Sequence, residues 1–98
     1  MNVWQRQPQE KSGSYLFTGA FLVTRGVAEM LSYEEIMCIH METVLEAHCT
    51  GGLDYLQVFI NQHGRKLFFI DQLDRETLEK SEFDPEHNHC TLMLAEEY

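Results

Sequence analysis

Hydrophobic residues fall into separate stretches of the chain, and the first of them predicts a strand. Residues 15–24 read YLFTGAFLVT, an aromatic and β-branched run of the kind found in strands. Gly19 lies inside the run and indicates a bulge or a close approach of another backbone. Residues 27–31 follow, and we expect them to form a short helical turn.

A capping box predicts where the main helix begins. Glu35 follows Ser32 by three residues, so each can satisfy a backbone amide of the other. We expect the helix to run to Ala47 or His48 and to end at Gly51, because glycine suits the left-handed turn at a helix C-terminus. At about 100° per residue, one side of this helix is apolar and the opposite side is acidic. The apolar side holds Tyr33, Ile36, Met37, Met41 and Val44, and the acidic stripe holds Glu35, Glu42 and Glu46.

A β-hairpin is predicted next. Residues 53–61 and 65–73 are two β-prone runs, and a short glycine-bearing turn at 62–64 joins them. Both faces of this hairpin are apolar. We expect one face to pack on the helix, and a terminal segment to cover the other. The alternatives are that this other face of the hairpin binds a partner or mediates homodimerisation.

The two ends of the chain complete the predicted fold. Residues 1–14 are predicted to be a flexible N-terminal arm, with Trp4 folding back over an edge of the core. Asp84, followed by Pro85, is typical of a helix start, so a short C-terminal helix is predicted, with a final strand as the alternative. The predicted fold class is α+β: a small antiparallel sheet, made of a strand and a β-hairpin, packed on one amphipathic helix. Residues 15–98 form its single domain.

Charge restricts the class of partner. Of the 98 residues, sixteen are acidic and seven are Lys or Arg, which gives a net charge of −9. Residues 1–31 hold three bases and two acids, whereas residues 32–98 hold four bases and fourteen acids. Phosphate would repel such a chain, so direct nucleic-acid binding is not expected. A protein partner with a basic surface is favoured.

The acidic residues concentrate in two places that we predict to be partner-binding. One is the helix stripe, and the other is an exposed loop after the hairpin. The predicted binding residues are Glu35, Glu42, Glu46, Asp71, Asp74, Glu76, Glu79 and Glu82.

Apolar runs and cysteines restrict the compartment. The longest apolar runs, 67–70 and 92–95, are far shorter than the roughly 20 residues of a membrane span. Three cysteines without paired spacing suit a reducing compartment, and no apolar stretch precedes Tyr15, so a cytoplasmic protein is expected.

Candidate chemistry is sparse. The chain has no nucleophile elbow and no glycine-rich phosphate loop, so an enzyme is not predicted, and neither is a cofactor. His87, His89 and Cys90 lie close together in the sequence, and a zinc site there is the alternative hypothesis. Their spacing is not that of known zinc motifs.

The chain resembles a family of small bacterial proteins that is known only as a domain of unknown function. The residues that carry the likeness are VTRGVA at 23–28, D-x-x-D-R-x-x-L at 71–78, Asp84-Pro85 and LMLAEEY at 92–98. The family similarly closes on L-T-x-M-L-A-x-E-Y, but here Cys90 stands where it has an aliphatic residue. Its usual hairpin tryptophan is replaced near Phe68-Phe69. A weaker likeness at 53–59 points to a second uncharacterised family, from Gram-positive bacteria.

The resemblance implies a bacterial origin, often on plasmids or phages. Small acidic proteins of such elements are frequently inhibitors of host machinery, anti-CRISPR proteins among them. The expected function is therefore that of a non-catalytic, protein-binding accessory or inhibitor protein.

Overall fold

The computed structural model describes residues 3–72 and 88–98, and it shows one long helix packed on a five-stranded mixed sheet. The strands are β1 (Gln5–Arg6), β2 (Ala20–Val23), β3 (Leu56–Ile60), β4 (Lys66–Asp71) and β5 (His89–Leu94), in the spatial order β1-β3-β4-β5-β2. The helices are α1 (Arg25–Met30) and α2 (Tyr33–Thr50), and a 3-10 turn covers Ala95–Glu97. The predicted α+β class is confirmed. The sheet is mixed rather than antiparallel, because β2 runs parallel to β5.

The predicted capping box starts α2. The Glu35 amide donates to the Ser32 hydroxyl (3.1 Å), and the Ser32 amide donates to the Glu35 carboxylate (2.9 Å). The helix ends at Gly51, whose φ of 82° is left-handed as predicted. It runs slightly further than expected, to Thr50, whose hydroxyl bonds to the carbonyls of Glu46 and Gly52 (2.9 Å each).

The buried side of α2 agrees only in part with the predicted one, since Ile36 and Val44 of that side pack against the core. Ile39, Thr43 and Ala47 are buried against the sheet, whereas Tyr33 and Met41, assigned to the core from the sequence, are exposed. Thr43 can be buried because its hydroxyl donates to the carbonyl of Ile39 (2.9 Å).

The predicted hairpin forms from β3 and β4, with Val58 opposite Phe68 and a left-handed Gly64 in the turn. One face of the sheet supplies the core under α2. Its buried residues are Phe59, Leu67, Phe69, Cys90, Leu92 and Leu94. We call the opposite side the second face, and its apolar residues are Leu22, Leu56, Val58, Ile60, Phe68, Ile70 and Met93. Tyr98 packs edge-on against Phe68 of this face (5.5 Å between ring centroids).

The C-terminal segment forms the strand that was the alternative to a helix. Cys90, Leu92 and Leu94 alternate into the core, and β5 fills the gap between β4 and β2. Among residues 88–98, helical structure is limited to the 3-10 turn, and the predicted helix start at Asp84 lies outside the described residues. The carboxylate of Glu97 closes that turn by accepting from the Leu94 amide (2.8 Å) and the Thr24 hydroxyl (2.6 Å).

The N-terminal segment differs from the predicted arm because it is part of the sheet. Arg6 in β1 lies opposite Phe59 in β3, and the Arg6 guanidinium donates to Gln57 (2.8 Å). Trp4 is buried, and its indole N–H donates to Glu35 on α2 (3.0 Å). The expectation that Trp4 covers an edge of the core is confirmed.

The first predicted strand is shorter than residues 15–24. Phe17 has a positive φ of 56°, which interrupts extended structure, and regular pairing begins only at Ala20. The close approach expected at Gly19 is present, since a Cβ there would lie 2.4 Å from the carbonyl oxygen of Asn88.

Substitution of Trp4 tests whether the N-terminal segment belongs to the fold. We expect Trp4→Ala to lower the free energy of unfolding by about 3 kcal/mol or more, because it empties a buried site and removes the partner of Glu35. The exposed neighbour Val3 supplies the control, and Val3→Ala should cost less than about 0.5 kcal/mol. Urea denaturation followed by circular dichroism measures both. Equal stability of the two variants would contradict the placement of Trp4.

Candidate protein-binding surface

Glu35 has a structural role. One carboxylate oxygen accepts from the Ser32 amide, and the other accepts from the Trp4 indole (3.0 Å). The hydrogen bond from the Ser32 backbone, supported by that from Trp4, holds the pKa of Glu35 below its ordinary value against an opposing effect of desolvation. These contacts join the start of α2 to the strand at the sheet edge.

The acidic stripe of α2 therefore faces the β1 side of the molecule and is not the outer face of the helix. Glu46 lies 3.6 Å from the guanidinium of Arg6, which is itself bonded to Gln57. Glu42 lies between Glu35 and Glu46 along the stripe and is exposed. At least two of the three predicted binding carboxylates thus contribute to holding β1 against α2.

Asp71, predicted to begin an exposed acidic loop, is buried at the end of β4. Its carboxylate accepts from the backbone amides of Phe17 and Gln72 (2.9 Å each). The prediction of a partner-binding role for Asp71 is corrected here, because a buried side chain cannot meet a partner. The remaining loop candidates lie outside the described residues: Asp74, Glu76, Glu79 and Glu82.

The alternative zinc site loses one of its proposed ligands. Cys90 is buried with its thiol toward the carbonyl of Phe17 (3.9 Å), and burial, with the charge of Asp71, raises its pKa to about 12. Zinc binds the thiolate, which this environment disfavours. His89 is half-buried next to it, and His87 lies outside the described residues. Within 3–72 and 88–98, no three His, Cys, Asp or Glu side chains are grouped so that they could hold a metal ion.

The most exposed apolar feature of the described structure is one that the sequence assigned to the core or left out. Tyr33, Met37, Met41 and Leu45 follow one another at intervals of four residues along α2, and we call them the outer ridge. Tyr33 is 76% exposed, Met41 61% and Leu45 57%, and Met37 is half-buried. Residues four apart on a helix are neighbours, so the four side chains form one continuous line. The four-residue spacing of these apolar residues was the sequence signal that could have indicated the ridge.

An apolar depression adjoins the C-terminal end of the ridge. It has a volume of about 350 Å³ and is lined by Leu16, Thr18, Val44, Leu45 and His48. The stack of His40 on Phe21 (4.0 Å between ring centroids) fixes this flank of α2 to β2. Burial lowers the pKa of His40, so its imidazole is neutral at physiological pH.

The electrostatic setting of the ridge is acidic. Helix α2 carries four glutamates and no lysine or arginine. The ridge is thus an apolar line on a negatively charged helix. Such an arrangement is typical of a surface that another protein can cover.

Comparisons with known proteins return no relatives. No family model matches this sequence, and neither a curated protein nor a solved structure matches it. The resemblance to the bacterial family of unknown function therefore stays a prediction. None of the helices in the described parts of the chain has the length and apolar character required to cross a membrane.

The lowered pKa of Glu35 predicts a pH-dependent contribution to stability. A carboxylate with a depressed folded-state pKa stabilises the fold above its unfolded pKa of about 4.3, and this contribution disappears as the pH falls through the folded-state value. At pH 7 we expect Glu35→Gln to cost about 0.5 kcal/mol of stability, because glutamine keeps the capping position and only the charge is lost. The difference in stability from the parent should narrow progressively below about pH 5.

Denaturation with urea at a series of pH values tests this expectation. Glu34→Gln is the matched control, since Glu34 is an exposed neighbour in the same helical turn without the capping contacts. A Glu35→Gln penalty that stayed constant between neutral and acid pH would rule out a charge-dependent role.

Thiol reactivity tests the assignment of Cys90. In the folded protein we expect Cys38 and Cys49, which are exposed on α2, to react with a chromogenic disulfide reagent. Cys90 should react only after unfolding, because its pKa is raised and its thiol is buried. Rapid reaction of all three thiols under native conditions would contradict the burial of Cys90.

Proposed function

We propose that this protein is a non-catalytic accessory or inhibitor protein that binds another protein through the outer ridge of α2. The partner surface would combine an apolar groove with a basic rim. The observation that carries the proposal is the ridge itself: four apolar side chains in one line on the longest helix, three of them more than half exposed.

The apolar component supports binding because its extent exceeds that of scattered surface residues. A fully exposed tyrosine, methionine or leucine presents on the order of 200 Å², so Tyr33, Met41 and Leu45 together expose about 400 Å². Tyrosine and methionine are enriched at protein interfaces, and charged residues are depleted at their centres. The depression beside Leu45 can accept one apolar anchor from the partner.

Charge complementarity supports a basic partner. The chain carries a net charge of −9, and α2 itself has four acids and no Lys or Arg. Long-range attraction would orient a basic surface toward this helix, and contact with the ridge would then provide affinity. Proteins that bind nucleic acids present such surfaces. In its specific form, the proposal is an inhibitor of a nucleic-acid-binding protein, such as an anti-CRISPR protein of a phage or plasmid.

Quantitative affinity capture from lysate of the source cell tests the proposal with matched variants. Met41→Ser truncates the ridge, whereas Leu22→Ser truncates an exposed side chain on the second face. We expect Met41→Ser to retain about tenfold less of the protein that the wild-type chain captures, which corresponds to a loss of about 1.4 kcal/mol in binding free energy. Leu22→Ser should leave retention unchanged. Binding should also weaken as the salt concentration rises.

Two results would contradict the proposal. One is equal retention of the same proteins by wild type and Met41→Ser. The other is a loss on Leu22→Ser as large as that on Met41→Ser. A direct binding measurement with the purified partner then yields the fold-change.

A further inference from the structure

The two edges of the sheet differ in how they are protected against strand pairing. At one edge, β1 is two residues long, contains Arg6 and is followed closely by Pro8. Charges, proline and short length are the usual protections of an edge strand. At the other edge, β2 reads AFLV, without a charge or a proline. Leu22 and Val23 are 46% and 37% exposed, and among the described residues no strand pairs with the outer side of β2.

The hydrogen bonds of β2 show which backbone groups face outward. The Ala20 amide donates to Asn88 (3.0 Å) and the Thr24 amide donates to Leu92 (3.1 Å), so these even-numbered residues point toward β5. Because amide direction alternates along a strand, the N–H and C=O groups of Phe21 and Val23 point to the open edge. Two residues therefore offer two donors and two acceptors there.

We propose that a second copy of this chain pairs with the open edge of β2, in antiparallel orientation about a two-fold axis at Leu22. Phe21 of each copy then lies opposite Val23 of the other, and these pairs exchange four backbone hydrogen bonds. Leu22 lies opposite itself across the axis, on the second face. The two sheets become one continuous sheet, and the open edge of β2 in each copy gains backbone hydrogen-bond partners.

The chemistry of the edge favours a second copy over a basic partner. The outward groups are symmetric about Leu22, as an isologous interface requires. The strand itself carries no charge. Beyond its C-terminal end, Glu97 accepts from the Thr24 hydroxyl (2.6 Å) and Glu29 is ion-paired with Arg25 (2.9 Å). The outward backbone groups of Phe21 and Val23 offer a basic protein no charge to pair with, whereas a second copy presents the same uncharged groups in return.

The dimer is expected to be weak and to strengthen with salt. Pairing of two four-residue edges buries on the order of 300–400 Å² per copy, below the roughly 800 Å² of a standard interface. A dissociation constant in the micromolar range or above follows. Screening lowers the repulsion between two copies with a charge of −9 each, so salt favours the dimer. Binding of a basic partner through the outer ridge has the opposite salt dependence, so the two interactions are separable.

Charge substitution at the axis tests the pairing by sedimentation velocity from about 1 µM to about 1 mM protein. Wild type should shift from monomer toward dimer across this range. Leu22→Lys and Leu22→Glu should each stay monomeric, because like charges would stand directly opposite each other. An equimolar mixture of the two variants should recover dimer, because the charges are then complementary.

Leu45→Lys is the matched control, since Leu45 is similarly exposed but lies on α2 away from the edge. It should dimerise as wild type does. The proposal is overturned if wild type is monomeric throughout, if Leu45→Lys is as monomeric as Leu22→Lys, or if the mixture of Leu22 variants does not associate. Recovery in the mixture also shows that both variants are folded.

Discussion

The rotation of α2 about its own axis determines what this protein can present to a partner. Helix α2 covers one face of the sheet together with Val27 of α1, and contacts on both flanks of α2 hold it there. On one flank, Glu35 bonds to the buried Trp4 and Glu46 lies beside Arg6 of β1. On the other flank, His40 stacks on Phe21 of β2. With both flanks fixed, Thr43 and Ala47 face the sheet and the outer ridge faces away from it.

The contacts that hold α2 in place engage carboxylates that could otherwise face a partner. Glu35 closes the capping box and accepts from Trp4, so the same carboxylate starts the helix and fixes its orientation. Asp71 likewise anchors the backbone at Phe17, where the chain takes a left-handed conformation. Acidic residues at these positions stabilise the fold, which leaves the apolar ridge as the surface that we propose for binding.

Local patterns predicted the elements whose signals are local. The capping box, the glycine C-cap and the hairpin turn depend on residues near one another in sequence, and all three are present. The buried side of α2 was not predictable in this way. Apolar residues occupy more than half of the helix circumference, so periodicity allowed several faces, and contacts with distant residues such as Trp4 decided among them.

The remaining differences have the same tertiary origin. Residues 89–94 alternate as a strand does, but they are also compatible with a helix, and the gap between β4 and β2 selected the strand. Residues 5 and 6 pair with β3, although two residues leave no sequence signal of a strand. Asp71 is polar in sequence, yet it is buried because an amide more than fifty residues away needs an acceptor. The ridge was missed because Tyr33, Met37 and Met41 were assigned to the apolar side and Leu45 was left out.

The proposed contact between a partner and the outer ridge of α2 can be tested directly. Methionine methyl groups report on it directly, since Met37 and Met41 lie on the ridge, Met30 lies on α1 and Met93 lies on the second face. NMR of protein labelled with ¹³C at the methionine methyl groups, titrated with the purified partner, distinguishes these surfaces. We expect chemical-shift changes at Met37 and Met41, with Met93 unchanged. Changes confined to Met93 would contradict it.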